Sequence, residues 1–144
     1  MTYRANAARG ASPIGLVVML YEAAIDDMRQ ALVAMKGSNV EGRARACSHA
    51  LLVLEQLQGT LDFKRGGAAA KHFEQFYNLV RGKLLEAQLR NSPELLGQQI
   101  QFMSEVRDCW IQADKQLGPT GDLMAAGTGA RITEDGGATR EWNA

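Results

Sequence analysis

A chain of 144 residues, 46% hydrophobic and 22% charged, is sized for about one domain with its own core and needs no disulfide or metal staple. Sixteen basic residues balance sixteen acidic ones, so bulk charge favours neither nucleic acid nor an anionic membrane surface. The longest apolar run is about half of the ~20 residues a membrane span requires, and both cysteines fall at or near apolar helical positions, so a cytosolic protein with reduced, buried Cys47 and Cys109 and no membrane insertion is expected.

Residues 1–11 carry Tyr3, Arg4 and Arg9 among small polar residues, with no period of either kind, and read as a flexible segment. A long helix follows over 12–35. Ser12 is a good N-cap and Pro13 suits the first helical position, where its missing N–H has no partner to lose. Ile14, Val18, Tyr21, Ile25, Met28, Leu32 and Met35 recur at spacings of four and three, which puts them on one stripe. That stripe does not account for Leu16, Met19 and Leu20. At about 100° per residue Leu16 and Met19 point well away from it, so the first three turns are apolar nearly all round and demand a second cover.

Lys36-Gly37-Ser38-Asn39 ends the pattern, with Gly37 as the expected left-handed residue and Ser38 or Asn39 as the next cap. A second helix over about 40–61 carries Val40, Ala44, Cys47, Leu51, Leu54 and Leu61, widened by Ala50, Val53 and Leu57. Residues 62–67 read as a glycine-paired loop whose Phe63 tucks back onto the bundle. A third helix over about 68–90 presents Phe73, Phe76, Tyr77, Val80, Leu84 and Ala87. Asn91-Ser92-Pro93 repeats the cap-then-proline start, and a fourth helix over 93–117 presents Leu95, Phe102, Met103, Val106, Trp110, Ala113 and Leu117. Beyond it, residues 118–144 hold six glycines, a net charge of −2 and no sustained period, and read as a disordered tail with Trp142 as its one isolated aromatic. Four long helices joined by short loops predict an all-α, antiparallel up-down four-helix bundle over 12–117.

No chemistry is legible in this pattern. A di-metal bundle site needs Glu-x-x-His pairs, but Ala46 and Ala69 stand three before His49 and His72, so no metal or cofactor is expected. Cys109 in RDCW has no activating neighbour, Gly66-Gly67 follows no strand, and no catalytic residue is assigned. Asp26-Asp27 reads as a solvated pair, the histidines as surface or boundary residues, and Arg107-Asp108 as part of a structural ion-pair network.

The motif positions carry a resemblance. Tyr3-x-x-Asn6 followed by Ala11-Ser12-Pro13-x-x-Leu16-Val17-x-Met19-Leu20-Tyr21 resembles the N-terminal signature of the flagellar secretion chaperones called FliS. Leu61-Asp62-Phe63 with Gly66-Gly67 is similar to that family's second interhelical loop, and Glu86-Ala87 through Asn91 to Val106-Arg107-Asp108-x-Trp110 to its last helix hairpin. Glu22-Ala23 stands where an Asp-Gly is common in the family, and Lys64-Arg65 replaces a more acidic loop. The resemblance spans residues 3–117 and leaves the tail without a counterpart. It implies a non-enzymatic cytosolic export chaperone that binds the disordered C-terminal segment of flagellin, blocks premature polymerisation and assists delivery to the flagellar type III export apparatus. The export gate is then a candidate further partner. It also implies a flagellin-binding set of Tyr3, Asn6, Ile14, Leu16, Val17, Met19, Leu20 and Tyr21. The isolated Tyr3 ahead of an over-apolar helix adds the expectation that residues 1–11 fold over the groove when it is empty and move when a client arrives. The alternative is a self-associating structural bundle with no exported client, in which a second copy, or the chain's own tail, covers Leu16, Met19 and Leu20. Monomer and homodimer both remain open.

Overall fold

The computed structural model describes residues 12–117; the expectations placed on 1–11 and 118–144 lie outside the described residues. Four helices run in order: α1 (Pro13–Lys36), α2 (Val40–Gly59), α3 (Phe63–Arg90) and α4 (Pro93–Leu117). α1 packs on α2 and α4, and α3 closes the other two sides of the square against the same pair. This is the expected up-down bundle.

The helix ends follow from their cap residues. Ser12 Oγ accepts the Gly15 N–H at 2.8 Å and starts α1 ahead of Pro13. At the other end the helix runs one residue further than its apolar stripe. Ser38, not Gly37, therefore takes the left-handed conformation (φ 58°), while Gly37 sits at φ −92°. Asn39 N–H reaches Ala34 O at 2.8 Å and Ser38 N–H reaches Met35 O at 3.3 Å, the paired bonds that satisfy the last carbonyls of a helix. Asn39 Oδ1 then caps α2 through the Gly42 N–H, and Ser92 Oγ caps α4 through the Leu95 N–H.

The expected loop at 62–67 is instead a capped helical turn. Asp62 Oδ1 accepts from the Lys64 and Arg65 amides at 3.1 Å each, which is enough to begin α3 at Phe63. Gly67 breaks it at φ 54°, ψ −128°, a conformation open to glycine, and the regular helix resumes at Ala68 as its period predicts. The short turn carries Phe63 outward, where it is 45% exposed rather than tucked onto the bundle.

The core is the predicted α1 stripe with its partners. Ile14, Val18, Tyr21, Ile25, Met28 and Met35 are buried, and Leu32 packs half-buried beside them. In α2 the buried line is Ala46, Cys47, Ala50, Val53, Leu54 and Leu57, so the face centres on residues expected only to widen it, and Val40 is exposed. In α4, Leu96, Met103 and Trp110 are interior while Phe102 lies out at the surface. An aromatic cluster joins three helices at the centre: Tyr21 meets Tyr77 edge-on with ring centroids 6.0 Å apart, and Phe73 meets Trp110 at 5.2 Å. Tyr21 Oη donates to Tyr77 Oη at 2.9 Å across the diagonal between α1 and α3. Burial pushes both hydroxyls well above the usual tyrosine range, so each is kept as a neutral phenol.

Candidate functional site

The outward face of α1 divides into two ends of different chemistry. At the N-terminal end Leu16, Met19, Leu20 and Ala23 follow at i, i+3, i+4 and i+7, a spacing that lays them along one strip on the side away from the core. Leu16 is 47% exposed and Met19 half-buried, whereas Leu20 and Ala23 are half-buried and lean on the core. At the C-terminal end an open cleft of about 630 Å³ runs between α1 and α2, bordered by Asp26, Asp27, Arg29, Arg45 and His49 with Val33 and Ala46. Asp27 is drawn into the interface there. Its carboxylate, 12% exposed, holds Nδ1 of the mostly exposed His49 at 2.5 Å. The expected solvated pair is thus split, with Asp26 in solvent and Asp27 buried, because the half-turn between α1 and α2 brings Asp27 opposite His49.

The sequence-predicted site residues fall on both sides of the helix. Leu16, Met19 and Leu20 reach the surface as the strip. Ile14, Val17 and Tyr21 lie in the core with at most 1% of their surface exposed, and offer no face to a partner in this conformation. Tyr3 and Asn6 lie outside the described residues. The N-terminus of α1 is pinned to the end of α4, where Ser12 Oγ donates to Asp114 Oδ1 at 3.0 Å. Along the bundle axis the strip therefore begins about two turns from the end of α4.

Other surface features depart from the expectations. Cys109, expected to be a buried thiol, is exposed, because on α4 it falls about 100° from Trp110, outside the buried line. Cys47 is buried, and desolvation raises its thiol above the ordinary range. Arg107 pairs with its neighbour Asp108 at 3.1 Å, a local contact. Phe102 and Leu79 are exposed, on α4 and α3 respectively. The Phe73–Trp110 contact sets the antiparallel register of those helices and puts Leu79 and Phe102 within about a turn of one another along the bundle. Periodicity alone placed Phe102 in the core; the missed signal is that it sits at the edge of a face centred on Leu96, Met103 and Trp110.

Among the described residues no group of three or more His, Cys, Asp or Glu side chains is placed to hold a metal ion, and no helix is long and apolar enough to cross a membrane. Nothing about the strip is catalytic. What it provides is an unpaired apolar surface on a rigid helix, next to the junction of α1 and α4.

Comparison with known proteins bears on what such a surface serves. The chain is 29% identical over 102 residues to the flagellar secretion chaperone FliS of Vibrio cholerae, covering 71% of this chain and 75% of that protein. It is 27% identical over 115 residues to the Salmonella typhimurium FliS chaperone, covering 79% and 82%, and 24% identical over 111 residues to that of Bacillus subtilis, covering 77% and 82%. The family described as flagellar protein FliS matches residues 1–117, a span that ends where α4 ends. With the bundle, the N-terminal signature and this match in agreement, the chain belongs to the FliS family of flagellar secretion chaperones.

Proposed function

We propose that this protein is the export chaperone of a flagellin, holding its C-terminal segment against the bundle in the cytosol, preventing premature polymerisation and handing it to the flagellar type III export apparatus. The observation that carries the reading is the strip of Leu16, Met19, Leu20 and Ala23, apolar and partly bare on a helix whose inner face is already fully packed. An amphipathic segment that is disordered when free and helical when bound suits such a surface, because the rigid bundle confines the ordering cost to the client.

The strip is too small to act alone. The eight residues Leu16 to Ala23 span only about 10 Å of helix, whereas coupled folding and binding buries on the order of 1,000–3,000 Å². The client accordingly runs past it onto further apolar side chains, with Leu79 and Phe102 the next exposed ones on α3 and α4. Tyr3 and Asn6 extend the surface from the segment that precedes α1, and Ile14, Val17 and Tyr21 support it from beneath rather than touching the client.

Calorimetry with a peptide from the flagellin C-terminus tests this. One-to-one binding with a large negative heat-capacity change is expected, weakened at least about tenfold, or ~1.4 kcal/mol, by Leu16→Asp. Equal affinity in Leu16→Asp removes α1 from the site. Absence of heat at two temperatures, with a mass of two chains by light scattering, favours the self-associating bundle instead.

A further inference from the structure

We propose that the corner where α2 hands over to α3 is a docking surface in its own right, built on Phe63, Lys64, Arg65 and Lys71. Its occupant is a segment of a partner protein in which an apolar side chain is flanked by aspartates or glutamates. The surface is separate from the strip on α1 and does not depend on the flagellin reading.

Three observations meet at this corner. Residues 63–72 hold three Lys or Arg and no acid, in a chain of zero net charge. Lys64, Arg65 and Lys71 are all exposed, and among the described residues none of their side chains makes a hydrogen bond or an ion pair. The other end of the same helix is treated differently: Lys83 and Arg90 both pair with Glu86, at 3.4 and 2.7 Å. Asp62 is turned to the backbone amides of Lys64 and Arg65 instead of their side chains, and Glu74, three residues beyond Lys71, makes no ion pair with it. Lys64 and Arg65 also stand in the first turn of α3, where the positive end of the helix opposes cations and no acid offsets them. Finally, Phe63 lies 45% exposed beside them. Gly66 is buried beneath the turn and Gly67 leaves it at φ 54°, ψ −128°, a backbone that glycine alone adopts readily, so the turn is held in the shape that carries these side chains outward. Each of these alone is an ordinary surface feature. Coinciding on one fixed turn, they point to a function for it.

The chemistry of the corner specifies what it takes. Ten residues, part turn and part helix, keep the three cations within about 15 Å of one another, a span that a short acidic segment covers. Phe63 supplies an aromatic anchor of the kind that carries much of the energy of a protein interface, and the cations around it steer an acidic partner and reject a basic one. An anionic membrane is a poorer match, because clusters of about four to eight Lys or Arg hold such a surface and this corner has three. Nucleic acid is poorer still, since a chain without net charge has no wider basic field for a phosphate backbone.

The test is a titration of the isotopically labelled full chain, followed by backbone amide shifts, with a synthetic Glu-Glu-Phe-Glu-Glu peptide blocked at both ends. Saturating shifts at residues 62–72 are expected, with a Kd in roughly the millimolar range that rises with added salt. Phe63→Ser should weaken binding at least about threefold, and Lys64→Glu with Arg65→Glu at least about tenfold. The double variant places acids where the helix favours them, so it should melt no lower than wild type, and its loss of binding is not a loss of fold. A markedly lower melting temperature in that variant would instead show that the cations serve the bundle, and overturns the proposal. So do absent shifts at residues 62–72, equal shifts with a Lys-Lys-Phe-Lys-Lys peptide, or shifts centred on Leu16 and Met19. Phosphatidylserine vesicles that bind wild type and not the double variant, with the acidic peptide inert, assign the corner to a membrane and overturn it as well. No arm uses flagellin peptide, so failure here and failure of the flagellin reading are separate results.

Discussion

The two ends of the outward face of α1 resolve the same problem differently. Near its C-terminus the helix presents Asp27, and α2 answers it with His49 from within the bundle. Near its N-terminus it presents Leu16 and Met19, and the other three helices leave them partly bare. Single apolar side chains such as Val33, Leu79 and Leu89 are exposed elsewhere, but Leu16 and Met19 begin a strip at helical spacing beside the end of α4. The exposed part of the strip, Leu16 and Met19, costs solubility without filling the core, which points to a partner for that end.

The difference is best calibrated by the core beneath both ends. Met28 is fully buried midway along the inner stripe. Met28→Ala is expected to cost about 2–5 kcal/mol by denaturant titration, the usual loss when a large core side chain leaves a cavity. A cost under ~1 kcal/mol would show that the inner face is loosely packed, and the contrast between inner and outer faces would lose its basis.

Beneath the apolar end, the paired hydroxyls of Tyr21 and Tyr77 give the next largest effect. Tyr21→Phe leaves Tyr77 Oη buried without its donor, at a cost of roughly 1–3 kcal/mol, while Tyr21→Phe with Tyr77→Phe removes both partners and recovers most of it. The same pair dictates an alkaline limit. Burial raises both folded-state pKa values above the unfolded value of about 10, so their stabilisation is intact below that pH and declines as pH climbs beyond it, because only the unfolded chain ionises readily. Tyrosinate absorbance should therefore appear together with the loss of helical circular dichroism. Ionisation of all tyrosines in a chain still fully helical would contradict the buried placement.

At the polar end, Asp27→Ala is expected to cost about 1 kcal/mol: the carboxylate is nearly buried, but its partner His49 is mostly in water and loses little. His49→Ala should cost more, because it leaves the nearly buried Asp27 carboxylate without the imidazole it holds, and a thermal melt that ranks the two variants the other way round would contradict this.

How far these features could be read from the sequence follows the same division. The α1 stripe, the caps at Ser12, Asn39 and Ser92 and the up-down order were legible because each depends on residues within one or two turns. The surplus at Leu16 and Met19 was legible too, since it needs only the helical period. What escaped depends on neighbours distant in sequence. Asp27 becomes buried because α2 returns alongside it, and Cys109 and Phe102 become exposed because the centre of the α4 face lies at Leu96, Met103 and Trp110 rather than at its outer leucine and phenylalanine. Phe63 escaped for another reason: Asp62 can cap a helix as readily as open a loop, and only the left-handed break at Gly67 shows that it does the former.

The smallest stability effect falls on the residue with the largest expected functional one. Leu16 is half in water and outside the buried cluster, so Leu16→Asp should change stability by no more than about 0.5 kcal/mol, within the range of ordinary surface substitutions. Its new carboxylate also lies in the first turn of α1, where the positive end of the helix dipole favours it by a few tenths of a kcal/mol and offsets part of any lost contact. Leu20→Asp makes the sharper control. Leu20 stands on the same strip but packs against the core, so it should lose both stability and binding where Leu16→Asp loses binding alone. If instead Leu16→Asp unfolds the bundle as Leu20→Asp does, then the strip is structural along its whole length, and the asymmetry between the two ends of α1 reflects packing rather than recognition.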